Sequence, residues 1–112
     1  MEWSAWTNGK PTQTGSGLGL QVPLADRAKH FDRRWQDVVL ELETNEGVIE
    51  VRANVRKRSF WSPTCGELIT AQIGLWLLAQ RLVPWPERER PKFKVSALGD
   101  GRFRVSKLRR LR

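Results

Sequence analysis

Apolar and polar residues alternate most cleanly over 37–43, "DVVLELE", where Val38, Leu40 and Leu42 share one face while Asp37, Glu41 and Glu43 share the other. A period of two marks a half-buried strand. The alternation returns over 48–55, "VIEVRANV", with Ile49, Val51, Ala53 and Val55 inward. Pairing Leu42 with Ile49 and Leu40 with Val51 keeps both apolar sets on one face and leaves a four-residue loop, "TNEG", closed by Gly47. A second hairpin reads "KFKVSAL", "GDG", "RFRVS". Val95 then faces Val105, Ala97 faces Phe103 and Leu98 faces Arg102, around the three-residue loop Gly99-Asp100-Gly101. Its outer face collects Lys94, Ser96, Arg102 and Arg104, whereas the first hairpin shows Glu41 opposite Glu50. The pattern therefore predicts two faces of opposite charge.

The period changes to that of a helix over 63–82. Leu68, Ile69, Ile73, Trp76 and Leu77 make a broad stripe, extended toward Gln80. Pro63 suits the helix entrance, Thr64 with Glu67 forms a capping-box pattern, and Pro84 and Pro86 stop the run. Few charges fall between 68 and 80, which predicts a deeply packed helix plugging one end of a barrel. Shorter signals complete the order: "EWSAW" and "LGLQVPL" read as strands, and "ADRAKHF" as a helical turn with Ala28 and Phe31 on one face. Between those strands, 9–19 is rich in Gly, Ser and Thr and reads as a flexible arm. The expectation is a mostly β (α+β) pseudobarrel of six or seven strands with one main and one short helix, in a single domain over 1–112.

Composition supports a small core, since 39% of the residues are hydrophobic and six Trp and four Phe supply large apolar bodies. Charge adds more. Residues 1–50 hold five Lys/Arg and eight Asp/Glu, a net −3, whereas 51–112 hold fifteen and four, a net +11. Such an excess points to an anionic partner, nucleic acid before membrane. The lone Cys65 excludes an intrachain disulfide and suits a reducing compartment. With no apolar run long enough for a transmembrane helix and no secretory signal, the expected location is cytoplasmic.

Signals for catalysis are weak. His30 and Cys65 match no zinc spacing, so His30 reads as structural or solvent-facing and Cys65 as a buried thiol. Glu41, Glu43 and Glu50 are a nuclease-like acid set, but neighbouring acids on a solvated sheet face are common. "GSGLG" (15–19) lacks the Gly-Lys-Ser/Thr of a phosphate loop. No catalytic residue, metal or cofactor is expected. The informative stretch is "NVRKRSFW" (54–61), where Arg56, Lys57 and Arg58 leave a strand just before Phe60 and Trp61. Cations there suit phosphates, and the aromatics anchor the loop to the core. The tail "SKLRRLR" (106–112) adds a basic arm.

"GLQVPLADRAKHF" resembles the strand–proline–short-helix opening of the plant B3-type DNA-binding domains, a pseudobarrel shared with effector-binding domains of some restriction endonucleases. The hairpin "VVLELETNEGVIEVRANV", the basic-aromatic loop, a helix ending in "RLVPW" and the hairpin "FKVSALGDGRFRV" follow in that family's order, over about residues 14–106. "PWPERERPK" departs from it, where the family has a tighter turn. The resemblance implies two arms gripping the DNA major groove. One comprises Lys10 to Ser16, with Lys10, Thr12, Gln13, Thr14 and Ser16 as contacts. The other comprises Asn54, Arg56, Lys57, Arg58 and Ser59 on the same side, with Lys94, Arg102 and Arg104 adding charge. The expected function is thus a non-enzymatic domain binding duplex DNA. The rivals are a protein-interaction subunit of a nucleic-acid-processing complex, and a single-strand or RNA-binding barrel using exposed Trp residues.

Overall fold

A computed structural model describes residues 1–86 and 88–108. Its elements run β1 (Glu2–Thr7), β2 (Leu18–Val22), α1 (Leu24–His30), β3 (Asp37–Thr44), β4 (Gly47–Asn54), β5 (Gly66–Ile69), α2 (Ala71–Ala79), β6 (Lys92–Gly99) and β7 (Arg102–Val105). The strands form one mixed, seven-stranded sheet in the order β4-β3-β7-β6-β1-β2-β5. It curls into a half-barrel whose edge strands, β4 and β5, approach each other without a ladder among the described residues. The fold is mostly β with two short helices, as the alternation predicts. Among the described residues, no helix is long and apolar enough to cross a membrane.

Hairpin parity carries through. Leu42 faces Ile49, Leu40 faces Val51 and Glu41 faces Glu50, with Val38, Leu40, Leu42, Val51, Ala53 and Val55 buried. The ladder continues to Thr44 and Gly47, however, so the turn is only Asn45-Glu46. The Thr44 hydroxyl accepts from the Glu46 amide at 3.1 Å and holds it tight. Ile49 is 43% exposed, because it lies near the tip of the edge strand, beyond the sheet's cover.

In the closing hairpin, Val95 faces Val105 and Ala97 faces Phe103, but Gly99, not Leu98, faces Arg102. Asp100 and Gly101 both have positive φ, 53° and 74°, and form the two-residue turn. That conformation matches the twist of a hairpin and suits Asp-Gly. The residue left over, Leu98, is extruded as a bulge and is exposed. Ala97 is exposed too, contrary to its expected inward position.

The run 63–82 is not one helix. Gly66–Ile69 is strand β5, which pairs with β2 from Gly19↔Ile69 to Val22↔Gly66. Leu68 points inward and Ile69 is half-buried, the alternation of a strand. Over four residues an apolar pair cannot distinguish the two periods, and the free edge of β2 decides between them. The helix begins only at Ala71, where the Thr70 hydroxyl accepts from the Ile73 amide at 3.0 Å. Its buried residues are Ile73, Gly74, Trp76 and Leu77. Trp76 sits 5.0 Å from Phe93 and donates its indole N–H to the Glu43 carbonyl at 2.8 Å. Phe31, just after the short helix, is buried but Ala28 is exposed, and no residue within α1 is buried.

The two helix starts are separable by mutation. Thr70→Ala is expected to cost about 1 kcal/mol through loss of the cap. Thr64→Ala should stay within about 0.5 kcal/mol, as an exposed loop substitution. Urea unfolding of both variants checks this, and a larger loss at Thr64 would move the helix start back to the capping-box position.

Candidate nucleic-acid interface

The basic loop follows β4. At its base the Val55 amide donates to the Gln36 carbonyl at 3.0 Å, which sets the loop beside the α1–β3 connection. The Asn54 side chain accepts from the Arg56 and Lys57 amides at 2.9 and 3.2 Å, turning the chain outward. Phe60 is fully buried, 4.9 Å from Phe31, and a Cβ on Gly66 would collide with its ring. Trp61 is half-buried and donates its indole N–H back to the Val55 carbonyl at 2.6 Å, bracing the loop from within. The aromatics anchor the loop, as expected from sequence.

The cations divide. Arg56 and Arg58 are exposed and make no ion pair among the described residues. Lys57 is half-buried, and this burial lowers its pKa against the opposing pull of Glu67. Ser59 is half-buried as well. Three residues absent from the expected site join this end of the barrel. Arg33 lies over the Trp61 ring, its guanidinium carbon 4.5 Å from the centroid. Arg27, from α1, lies 5.2 Å from the same ring and donates through one Nη1 to the Phe60, Ser62 and Cys65 carbonyls at 2.7, 2.8 and 3.3 Å. Lys29 is exposed on the same helix. The signal in the sequence was the cluster "ADRAKHFDRR", but only the fold brings it beside residues 54–61.

Arg102 and Arg104 are differently placed from their expected role. β7 pairs parallel with β3, setting Val39 beside Arg102 and Glu41 beside Arg104. The acidic and basic faces are therefore one face. Arg104 and Arg102 both donate to Glu41, whose carboxylate is only 12% exposed, and Arg102 also meets Glu50. These bonds, from Arg104 first and Arg102 next, hold the Glu41 carboxyl below its ordinary range. The same contacts occupy two members of the nuclease-like acid set. Nearby, Asp32 is held at about 2 by Arg34, and Arg52 pairs with Asp37 at 3.1 Å. Lys94 remains exposed, facing Glu2 across the β1–β6 ladder.

The other expected arm springs from β1 and β2. Residues 8–17 join Thr7 to its ladder partner Leu18, at the Gly19↔Ile69 end of the β2–β5 pair. Residues 55–65 enter at the Val22↔Gly66 end. The loop bases are thus about 10 Å apart along the strands, at about 3.3 Å per residue. Leu18 and Gly19 themselves belong to β2. Gly15, with φ +92°, is buried against α2, and a Cβ on Gly74 would overlap the Gly15 carbonyl. Thr12 bonds Thr14 at 2.8 Å and Ser16 at 3.2 Å, so these hydroxyls bond one another, while Lys10 and Gln13 are exposed. In the basic tail, 106–108 are described and 109–112 lie outside the described residues. Cys65 is buried, His30 half-buried, and Trp3 fully buried, which removes Trp3 as a stacking platform.

The lowered Glu41 pKa fixes the sign of a pH effect. Stability from its arginine bonds is full above the ordinary carboxylate range and is lost as pH falls through the lowered value. The melting-temperature advantage of the wild type over Glu41→Gln should be complete at neutral pH and close below about pH 4. An advantage that does not change on acidification would show that the pair contributes through packing alone. The chain matches no protein-family model, no curated protein and no solved structure, so what the site does rests on its own geometry.

Proposed function

We propose that this half-barrel is a non-enzymatic nucleic-acid-binding domain, and that duplex DNA is its partner. One observation carries the reading: a loop pinned at both ends presents Arg56 and Arg58 without an ion pair among the described residues, while Arg34, Arg52, Arg102 and Arg104 are each bound to an acid. Guanidinium groups carried outward on a braced backbone suit phosphate oxygens. The order of elements, including the loop between β4 and β5, is consistent with a pseudobarrel, which supports the resemblance to the B3-like domains. Against a single-strand or RNA barrel stands the use of Phe60 and Trp61 as anchors of the loop, Phe60 buried and Trp61 half-buried with its indole N–H bound to the Val55 carbonyl. Loop 8–17 is a secondary contact in this reading, since Lys10 is its one cation.

Titration of labelled duplex DNA over a salt series tests the proposal. Replacing Arg56 and Arg58 together by Ala should reduce the slope of log affinity against log salt by about two units, about one for each lost phosphate contact. Adding Lys57→Ala should change it further by less, given its partial burial. A folded double variant with the wild-type slope would refute the loop as the binding surface and leave the protein-interaction reading.

A further inference from the structure

We propose that Arg33 is a further phosphate-contacting residue, held on Trp61 as a platform, and that the surface it extends takes the backbone of a double helix rather than unstacked bases. This rests on the reading of the 54–59 loop as a nucleic-acid surface. Arg33 lies outside both expected arms, in the connection between α1 and β3.

Trp61 cannot swing away to meet a ligand. Its indole N–H is bound to the Val55 carbonyl, and its ring stands edge-on to the buried Phe60, 5.2 Å away at 88°. Arg27 holds the surrounding segment through three carbonyls and lies over the same ring. The ring thus already carries two cations, and an aromatic platform so occupied offers little to a base. A guanidinium lying over a ring keeps the N–H donors at its rim free for phosphate oxygens. Arg33 is exposed and makes no ion pair among the described residues, although its neighbour Arg34 is bound by Asp32 through Nε and Nη2. One side chain of the pair is neutralised and the other is presented.

The choice of partner follows from what the surface lacks. Binding to a single strand draws much of its free energy from bases stacking on exposed rings. A surface of exposed cations whose nearest ring, Trp61, is half-buried and already covered by two guanidinium groups draws chiefly on phosphate charge, and a duplex carries one charge per about 1.7 Å of axis. Arg27 is a positioning residue here, since its donors are directed at backbone carbonyls.

The experiment compares a mixed-sequence duplex with one of its single strands, both labelled, against the full chain over a salt series. Arg33→Ala should lower the duplex salt slope by about one unit and weaken unrelated duplex sequences alike. Arg33→Lys should restore the slope, because it returns the charge. If Arg33→Ala keeps the wild-type slope while the Arg56/Arg58 double substitution lowers it, the role of Arg33 is overturned and the loop reading stands. Tighter binding of the single strand by the wild type would overturn the choice of duplex. No salt-dependent binding of either probe would overturn both the inference and the reading beneath it. Arg33 is exposed, so a melting curve serves to confirm that each variant is folded.

Discussion

The ring of Phe31 lies nearly parallel to that of Phe103, 4.8 Å away and inclined by 12°, and the α1 end of the barrel is built around that contact. Trp3 reaches both rings from β1, Phe60 reaches Phe31 from the basic loop, and Trp35 meets Phe31 edge-on from the approach to β3. Side chains must close this end, because the edge strands β4 and β5 meet without a ladder among the described residues. Each ring of this kind buries some 150–250 Å² of apolar surface, which makes the cluster a principal source of cohesion for a small domain. The short helix contributes through its exit residue: no residue within α1 is buried, yet Phe31, immediately after it, is central.

The basic loop inherits its rigidity from that plug. Because Phe60 is drawn inside, the residues before it must span from Asn54 to the core in a few steps, and Arg56 and Arg58 are left outside. Asn54 turns the chain at one end, and Trp61 returns a hydrogen bond to Val55 at the other. Arg27 completes the frame by filling three carbonyls that no strand or helix satisfies. A loop fixed in this way loses little conformational freedom on meeting a ligand, so less of its interaction energy is consumed by ordering. The aromatic residues and the cations of "NVRKRSFW" therefore do different jobs: the first hold the loop, and the second are what it displays.

Local pattern made much of this legible. Alternation placed β3 and β4 and their register, and hairpin parity placed Val95 against Val105 even though the turn proved shorter and Leu98 bulged. It failed where the deciding contact is distant in sequence. Gly66–Ile69 becomes a strand because β2, more than 40 residues earlier, has a free edge, so Thr64 and Glu67 imitate a helix cap without forming one. The pairing of β3 with β7 is parallel and equally remote, and no hairpin logic could supply it. Without it, Glu41 and the arginines of β7 read as opposite faces of the molecule; with it they become one hydrogen-bonded cluster. The same kind of contact hid Arg33, whose place beside Trp61 depends on the Val55–Gln36 hydrogen bond.

A formal charge of +8 thus says little about where an anion would bind until the topology has assigned each cation a neighbour. The arginines at 34, 52, 102 and 104 are in ion pairs with acids among the described residues. Exposed ion pairs of this sort add little stability one by one, but each removes a charge from the outward field. The β7 arginines, which the sequence sets on a cationic strand face, are offset by acids from β3 and β4. At the α1 end the acids Asp32 and Asp37 each hold one arginine, leaving Arg33, Arg56 and Arg58 without ion pairs among the described residues. Loop 8–17, at the far end of the β2–β5 ladder, is docked through Gly15 onto Gly74 of α2 and brings a single lysine. At the end sealed by Phe31 the half-barrel therefore presents three arginines without ion pairs among the described residues, and the aromatic packing that closes this end also holds the loop that carries two of them.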